Sequence, residues 1–203
     1  MLNNLGKRVL IQDESAETAF LPMLSNGSQK IGFLTYRNID FSLGSLEEVA
    51  ESDTEYDYVL KYFGDTCIRD SIADCLCIVV NASMQKQEIT EFLQWIPLLK
   101  KRGYLILRDL TGHGMDKRYL NQHHRESLTG FQKIYEVPLD YIDKDYQVEM
   151  DYHGVIHFRH LSRAYCKVIV DFVRQLTGHS LKEVERAFRF VKEGKIFDSR
   201  ILE

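Results

Sequence analysis

The sequence predicts an α/β fold, with helices on both faces of a mostly parallel sheet. Two short apolar runs, Tyr58–Tyr62 and residues 76–80, read as strands and are joined by a polar segment with helical character. Strands connected by a helical crossover pair in parallel. Further strand-like runs at residues 104–108 and 134–138 each follow a helical pattern. This alternation predicts a three-layer α/β/α architecture.

The remaining elements can be read along the chain. Residues 85–102 show the clearest helical pattern, because Ile89, Leu93 and Ile96 recur at helical spacing and Gly103 can end the helix. Residues 9–12 and 31–36 read as earlier strands, and 43–50 as a short acidic helix. We also expect a polar helix at 115–129, a long surface connection at 140–154 and a helix at 161–176.

A capping box opens the last predicted helix. Ser180 followed three residues later by Glu183 can satisfy two backbone N–H groups at a helix start, which predicts a helix over residues 181–192. Its apolar stripe is accompanied by several basic residues. We therefore divide the chain into one α/β domain at 1–178 and a C-terminal amphipathic helix and tail at 179–203.

Composition limits the classes of function. A chain of 203 residues, 44% of them hydrophobic, can bury one substantial core. The net charge of −4 provides no overall attraction to nucleic acid or to an anionic membrane. No apolar run approaches the length of a membrane span. The sequence favours a cytoplasmic protein.

Several segments resemble the ParA/MinD superfamily of P-loop ATPases, from residue 5 to about residue 176. The segments that carry the resemblance are LGKRVLIQD, EYDYVL, EVP and LSRAY. The resemblance implies an incomplete P-loop NTPase-like fold of the SIMIBI type in a bacterial protein. It also implies vestigial nucleotide-binding positions at the strand ends, which are Asp13, Ser15, Tyr62, Asp65, Asp109 and Pro138.

The chain departs from the family at the positions that perform chemistry. It contains no G-x-x-x-x-G-K-[ST] phosphate loop, and it begins after the point where the family carries that loop. Tyr62 stands where the family has a magnesium-ordering Asp, and Ser15 stands at the second acidic position. The family's phosphate-loop strand would lie beside Tyr58–Tyr62. We therefore expect neighbouring strands to close up or another strand to fill the slot, since buried backbone groups need partners.

These departures lead to three hypotheses about function. The first is a degenerate ParA/MinD-like protein without a self-sufficient ATPase site or a cofactor. It would be a scaffold or regulatory partner-binding protein in positioning, partitioning or secretion and pilus assembly, as CpaE/TadZ-type proteins are. The alternative is a fragment or subunit of an ATP-binding ATPase whose phosphate loop lies outside this chain, with ATP and Mg²⁺ as ligands. The third is a small-molecule or nucleic-acid binder that uses residues 112–114 and the basic last helix.

Protein partners, including a second copy of the chain, are favoured over nucleic acid and over peripheral membrane contact through residues 181–192. The candidate partner-binding residues are Trp95, Phe188 and Arg189. His153, His157 and His160 suggest a metal site, but Gly154 and two β-branched residues argue against the helix that would place them on one face. We predict no metal site.

Overall fold

The computed structural model describes residues 1–15, 33–36, 39–43, 55–64, 72, 75–95, 102–112, 117–153 and 158–194. The chain forms two compact units. Unit 1 comprises Met1–Cys67, Asp145–Leu161 and Ile169–Glu203, and unit 2 comprises Ile68–Lys144 and Ser162–Val168. Each unit contains one sheet and an apolar cluster of its own. The predicted α/β class is confirmed, although the described strands form two sheets rather than one.

The described elements follow one another in chain order after a short 3-10 turn at Asn3–Leu5. They are β1 (Val9–Asp13), β2 (Phe33–Tyr36), β3 (Ile39–Leu43), β4 (Tyr58–Tyr62), β5 (Cys77–Ser83), α1 (Lys86–Trp95), β6 (Arg102–Leu110), α2 (Lys117–His123), α3 (Arg125–Leu128), β7 (Phe131–Pro138), α4 (Tyr141–His153), α5 (Arg163–Thr177) and α6 (Leu181–Lys192).

The sheet of unit 1 has the strand order β2-β3-β1-β4. Strand β1 runs parallel to both β3 and β4, while β2 is antiparallel to β3. Val9 and Leu10, which point to opposite faces of β1, are 4% and 1% exposed. Strand β1 is therefore buried on both faces, as the apolar run in the sequence predicts for a parallel strand.

The core of unit 1 brings both chain termini of the described region together. Val173 of α5 and Val184 of α6 cluster with Leu2 and Val9. Helix α6 begins at the predicted capping box, because the Ser180 Oγ accepts the Glu183 N–H at 3.4 Å and the Glu183 carboxylate accepts the Ser180 N–H at 2.9 Å. The predicted bounds of this helix and its cap are confirmed.

The sheet of unit 2 has the order β5-β6-β7, and all three strands are parallel. The central strand β6 supplies Leu105 and Leu107, both fully buried. Ile89 of α1 and Leu120 of α2 pack into the same cluster. The apolar stripe predicted for the first of these helices thus lies on a core, and its burial holds α1 on the sheet.

Several predicted elements differ from the structure. Within 140–154, predicted as a surface connection, Tyr141–His153 form α4. The Asp140 carboxylate accepts the N–H groups of Ile142 and Asp143 and so caps the helix start. Strand β3 was not predicted. The helix predicted at 115–129 is interrupted at His124, whose φ of −138° is not helical. Residue 102, predicted as the helix end, begins β6. Most of the acidic helix predicted at 43–50 lies outside the described residues.

Strand β4 is an edge strand among those described. Its described neighbour is β1, and the side chains of Val59, Leu60 and Tyr62 are 46%, 38% and 42% exposed. Strand β4 is paired with β1 along its whole length, and the prediction that the slot beside it closes up or is filled stays a prediction. Within that same part, no helix has both the length and the apolar character needed to cross a membrane.

Candidate functional site

In parallel sheets, binding and catalytic residues follow the carboxyl ends of the strands. In unit 1, Asp13 of β1 and Tyr62 of β4 are register partners, so both strands end at the same edge. The Glu14 N–H donates to the Tyr62 carbonyl oxygen at 2.8 Å, which extends the ladder by one residue. The structure thus brings together three predicted positions, Asp13, Ser15 and Tyr62. A fourth, Asp65, lies outside the described residues.

The Asp13 carboxylate is occupied by its own turn. Asp13 is 2% exposed, and its Oδ1 accepts hydrogen bonds from the Ser15 N–H at 3.0 Å and the Ser15 Oγ at 2.5 Å. A buried carboxylate is stabilised by such donors. Ser15 therefore orients the Asp13 carboxylate at this edge and supplies two of its hydrogen bonds.

Lys61 and Glu14 form an ion pair at the same edge, with 3.3 Å between Nζ and Oε1. Both side chains are largely shielded, with exposed fractions of 22% and 17%. The sequence analysis did not identify this pair, because the two residues lie far apart in sequence and meet through the parallel register of β1 and β4. No local sequence signal reveals such a register.

The loop after β4 lies close against the turn after β1. Gly64 has φ of +61°, in the left-handed region that favours glycine. A Cβ atom at this position would lie 3.0 Å from the Cβ of Ser15. Glycine is required here both for its backbone conformation and for the close approach to Ser15.

A second polar cluster occupies the carboxyl ends of β5 and β6 in unit 2. Ser83, 2% exposed, ends β5, and its N–H and Oγ donate to the Glu88 carboxylate at 2.7 and 2.8 Å. The guanidinium of Arg108 donates to Glu88 at 3.1 Å and to Asp109 at 2.8 Å. Lys144 reaches the same Asp109 oxygen at 2.7 Å. Two carboxylates and two cations thus form a continuous network.

Asp109 has an unusual backbone within this network. Its φ of +61° lies in the left-handed region, where residues other than glycine are uncommon and Asp and Asn are the best tolerated. The contacts with Arg108 and Lys144 fix the side chain of this residue. Asp109 was predicted as a vestigial nucleotide-binding residue, and it lies at a strand end as such a residue would. Pro138 is the register partner of Leu110, which places the end of β7 at the same edge.

Tyr165 belongs to the same unit, and the charges of this network affect the pKa of its hydroxyl. Burial raises the pKa of Tyr165, and the negative charges of Asp143 and Asp109 raise it further, while Arg108 opposes them. Asp143 itself accepts the Ser162 N–H at 2.6 Å. The phenol therefore stays protonated at neutral pH.

In both strand-end clusters the lysine and arginine side chains are paired with carboxylates. In unit 1, Lys61 is matched by Glu14; in unit 2, Arg108 and Lys144 are matched by Glu88 and Asp109. Over the described ranges, no three His, Cys, Asp or Glu side chains gather in a way that could hold a metal ion. Because these side chains are already in ion pairs, they can hold the strand ends in place. They can bind a charged ligand only if the ligand displaces one partner of a pair.

The predicted partner-binding residues occupy different environments. Phe188 is 7% exposed, and Lys192 Nζ lies 5.8 Å from its ring centroid, so this ring belongs to the interior of unit 1. Burial follows from its place on the apolar stripe of α6. Arg189, the next residue, is exposed. Trp95 is the last residue of α1, and its side chain lies outside what is described.

No protein-family model matches this chain, and no curated protein matches it either.

Proposed function

We propose that this chain is a cytoplasmic ParA/MinD-like protein that acts as a scaffold or regulatory partner-binding protein and has no self-sufficient ATPase site. The proposal includes the finer fold description, a three-layer and incomplete P-loop NTPase-like arrangement of the SIMIBI type. It rests on the resemblance of the sequence and on the geometry at the carboxyl ends of β1 and β4.

The observation that carries the proposal is that the polar side chains of that edge are already paired with one another. Phosphoryl transfer depends on cations and metal-bound carboxylates that hold the phosphates and neutralise developing charge. Here the Asp13 Oδ1 already accepts two hydrogen bonds from Ser15, and Lys61 already pairs with Glu14. Tyr62, at the position of the family's magnesium-ordering Asp, supplies a phenol instead of a carboxylate. A nucleotide phosphate would have to displace these contacts before it could bind.

Protein binding is supported by exposed side chains of the kind that interfaces use. The apolar groups of Val59 and Leu60 and the ring of Tyr62 are exposed along β4. Aromatic residues and arginine are enriched in interfaces, and Arg189 is exposed on α6.

Titration calorimetry with MgATP tests the proposal directly. We expect no saturable heat up to millimolar nucleotide and no change in thermal unfolding. The second readout is sensitive, because a ligand present at a hundred times its Kd stabilises a protein by about 2.7 kcal/mol. Saturable binding would contradict the proposal. It would favour instead the alternative of an ATP-binding subunit whose phosphate loop comes from outside this chain.

Two lysine variants locate any binding that is observed. Lys61→Ala removes the cation at the carboxyl edge of unit 1. Lys7→Ala is the matched control, because Lys7 also forms an ion pair at 3.3 Å, with Asp57 just before β4 starts. Binding that is lost in Lys61→Ala and retained in Lys7→Ala would place the phosphates at the predicted edge. Equal binding by both variants would place them elsewhere.

A further inference from the structure

We draw no further inference here: the strongest candidate, the side-chain cluster around Arg108 and Asp109 at the carboxyl end of β6 in unit 2, belongs to the site already described, and because its cations are already in ion pairs with carboxylates, nothing in the described part of the chain shows what it would bind.

Discussion

Truncation of Leu105 to alanine should destabilise unit 2 strongly. Leu105 is fully buried in the central strand β6, within the cluster that also holds Leu107 and Leu120. The substitution removes three carbon atoms, worth about 2.4 kcal/mol at about 0.8 kcal/mol for each buried methylene. The cavity left in a packed core raises the expected loss to about 3–4 kcal/mol. This is a large share of the roughly 5–15 kcal/mol that stabilises most domains.

Urea unfolding followed by tryptophan fluorescence measures this loss of stability in unit 2, which contains Leu105. The chain has a single tryptophan, Trp95, at the end of α1, which packs on the same sheet. With a slope of about 1.5 kcal/mol per molar urea, Leu105→Ala should lower the midpoint by about 2 M. Leu76→Ala makes the same change at a position 84% exposed and should shift it little, within about 0.5 kcal/mol. A loss below about 1 kcal/mol for Leu105→Ala would show that β6 is not the centre of the core.

Two other predictions concern local interactions. Ser180→Ala removes the N-cap of α6 and should lower the free energy of unfolding, measured with urea, by about 1 kcal/mol. Ser180→Thr keeps a capping hydroxyl and should retain most of the stability. Equal losses in the two variants would mean that the capping hydroxyl contributes nothing. Tyr56 donates to Asp40 at 3.0 Å, and burial and this hydrogen bond raise the pKa of Tyr56 to about 12 from the ordinary 10. Because the folded pKa is the higher one, the stability this phenol contributes is complete below pH 10 and is lost as the pH rises from 10 toward 12. Tyr56→Phe should remove that part of the alkaline loss of stability, seen as a flatter dependence of the urea midpoint on pH; an unchanged dependence would contradict the assigned pKa.

The elements that the sequence analysis predicted well are those fixed by neighbouring residues. Helix α6 begins at Ser180 as predicted, because the capping box needs two residues three apart. Strand β4 has the predicted bounds, because its apolar run is short and flanked by polar residues. Helix α4 was missed, since tyrosine and aspartate are weak helix formers and the Asp140 cap outweighs their preference.

Features set by strand register could not be predicted in this way. The pair between Lys61 and Glu14 depends on the parallel alignment of β1 with β4, and the pair between Arg108 and Glu88 depends on where β6 ends relative to α1. Likewise, the division of the strands into two sheets depends on which strands pair by hydrogen bonds. The sequence analysis had predicted a single sheet, as in the family that the chain resembles.

The ion pair between Lys61 and Glu14 has a consequence for any anionic ligand. Glu14 is in effect a tethered competitor, held next to the lysine by the backbone bond from Glu14 to Tyr62. A group attached by a short tether acts at an effective concentration on the order of millimolar. A free phosphate compound would have to compete with this carboxylate for the lysine. Such an edge would discriminate by concentration, remaining closed to scarce anions and exchanging its carboxylate only with abundant ones.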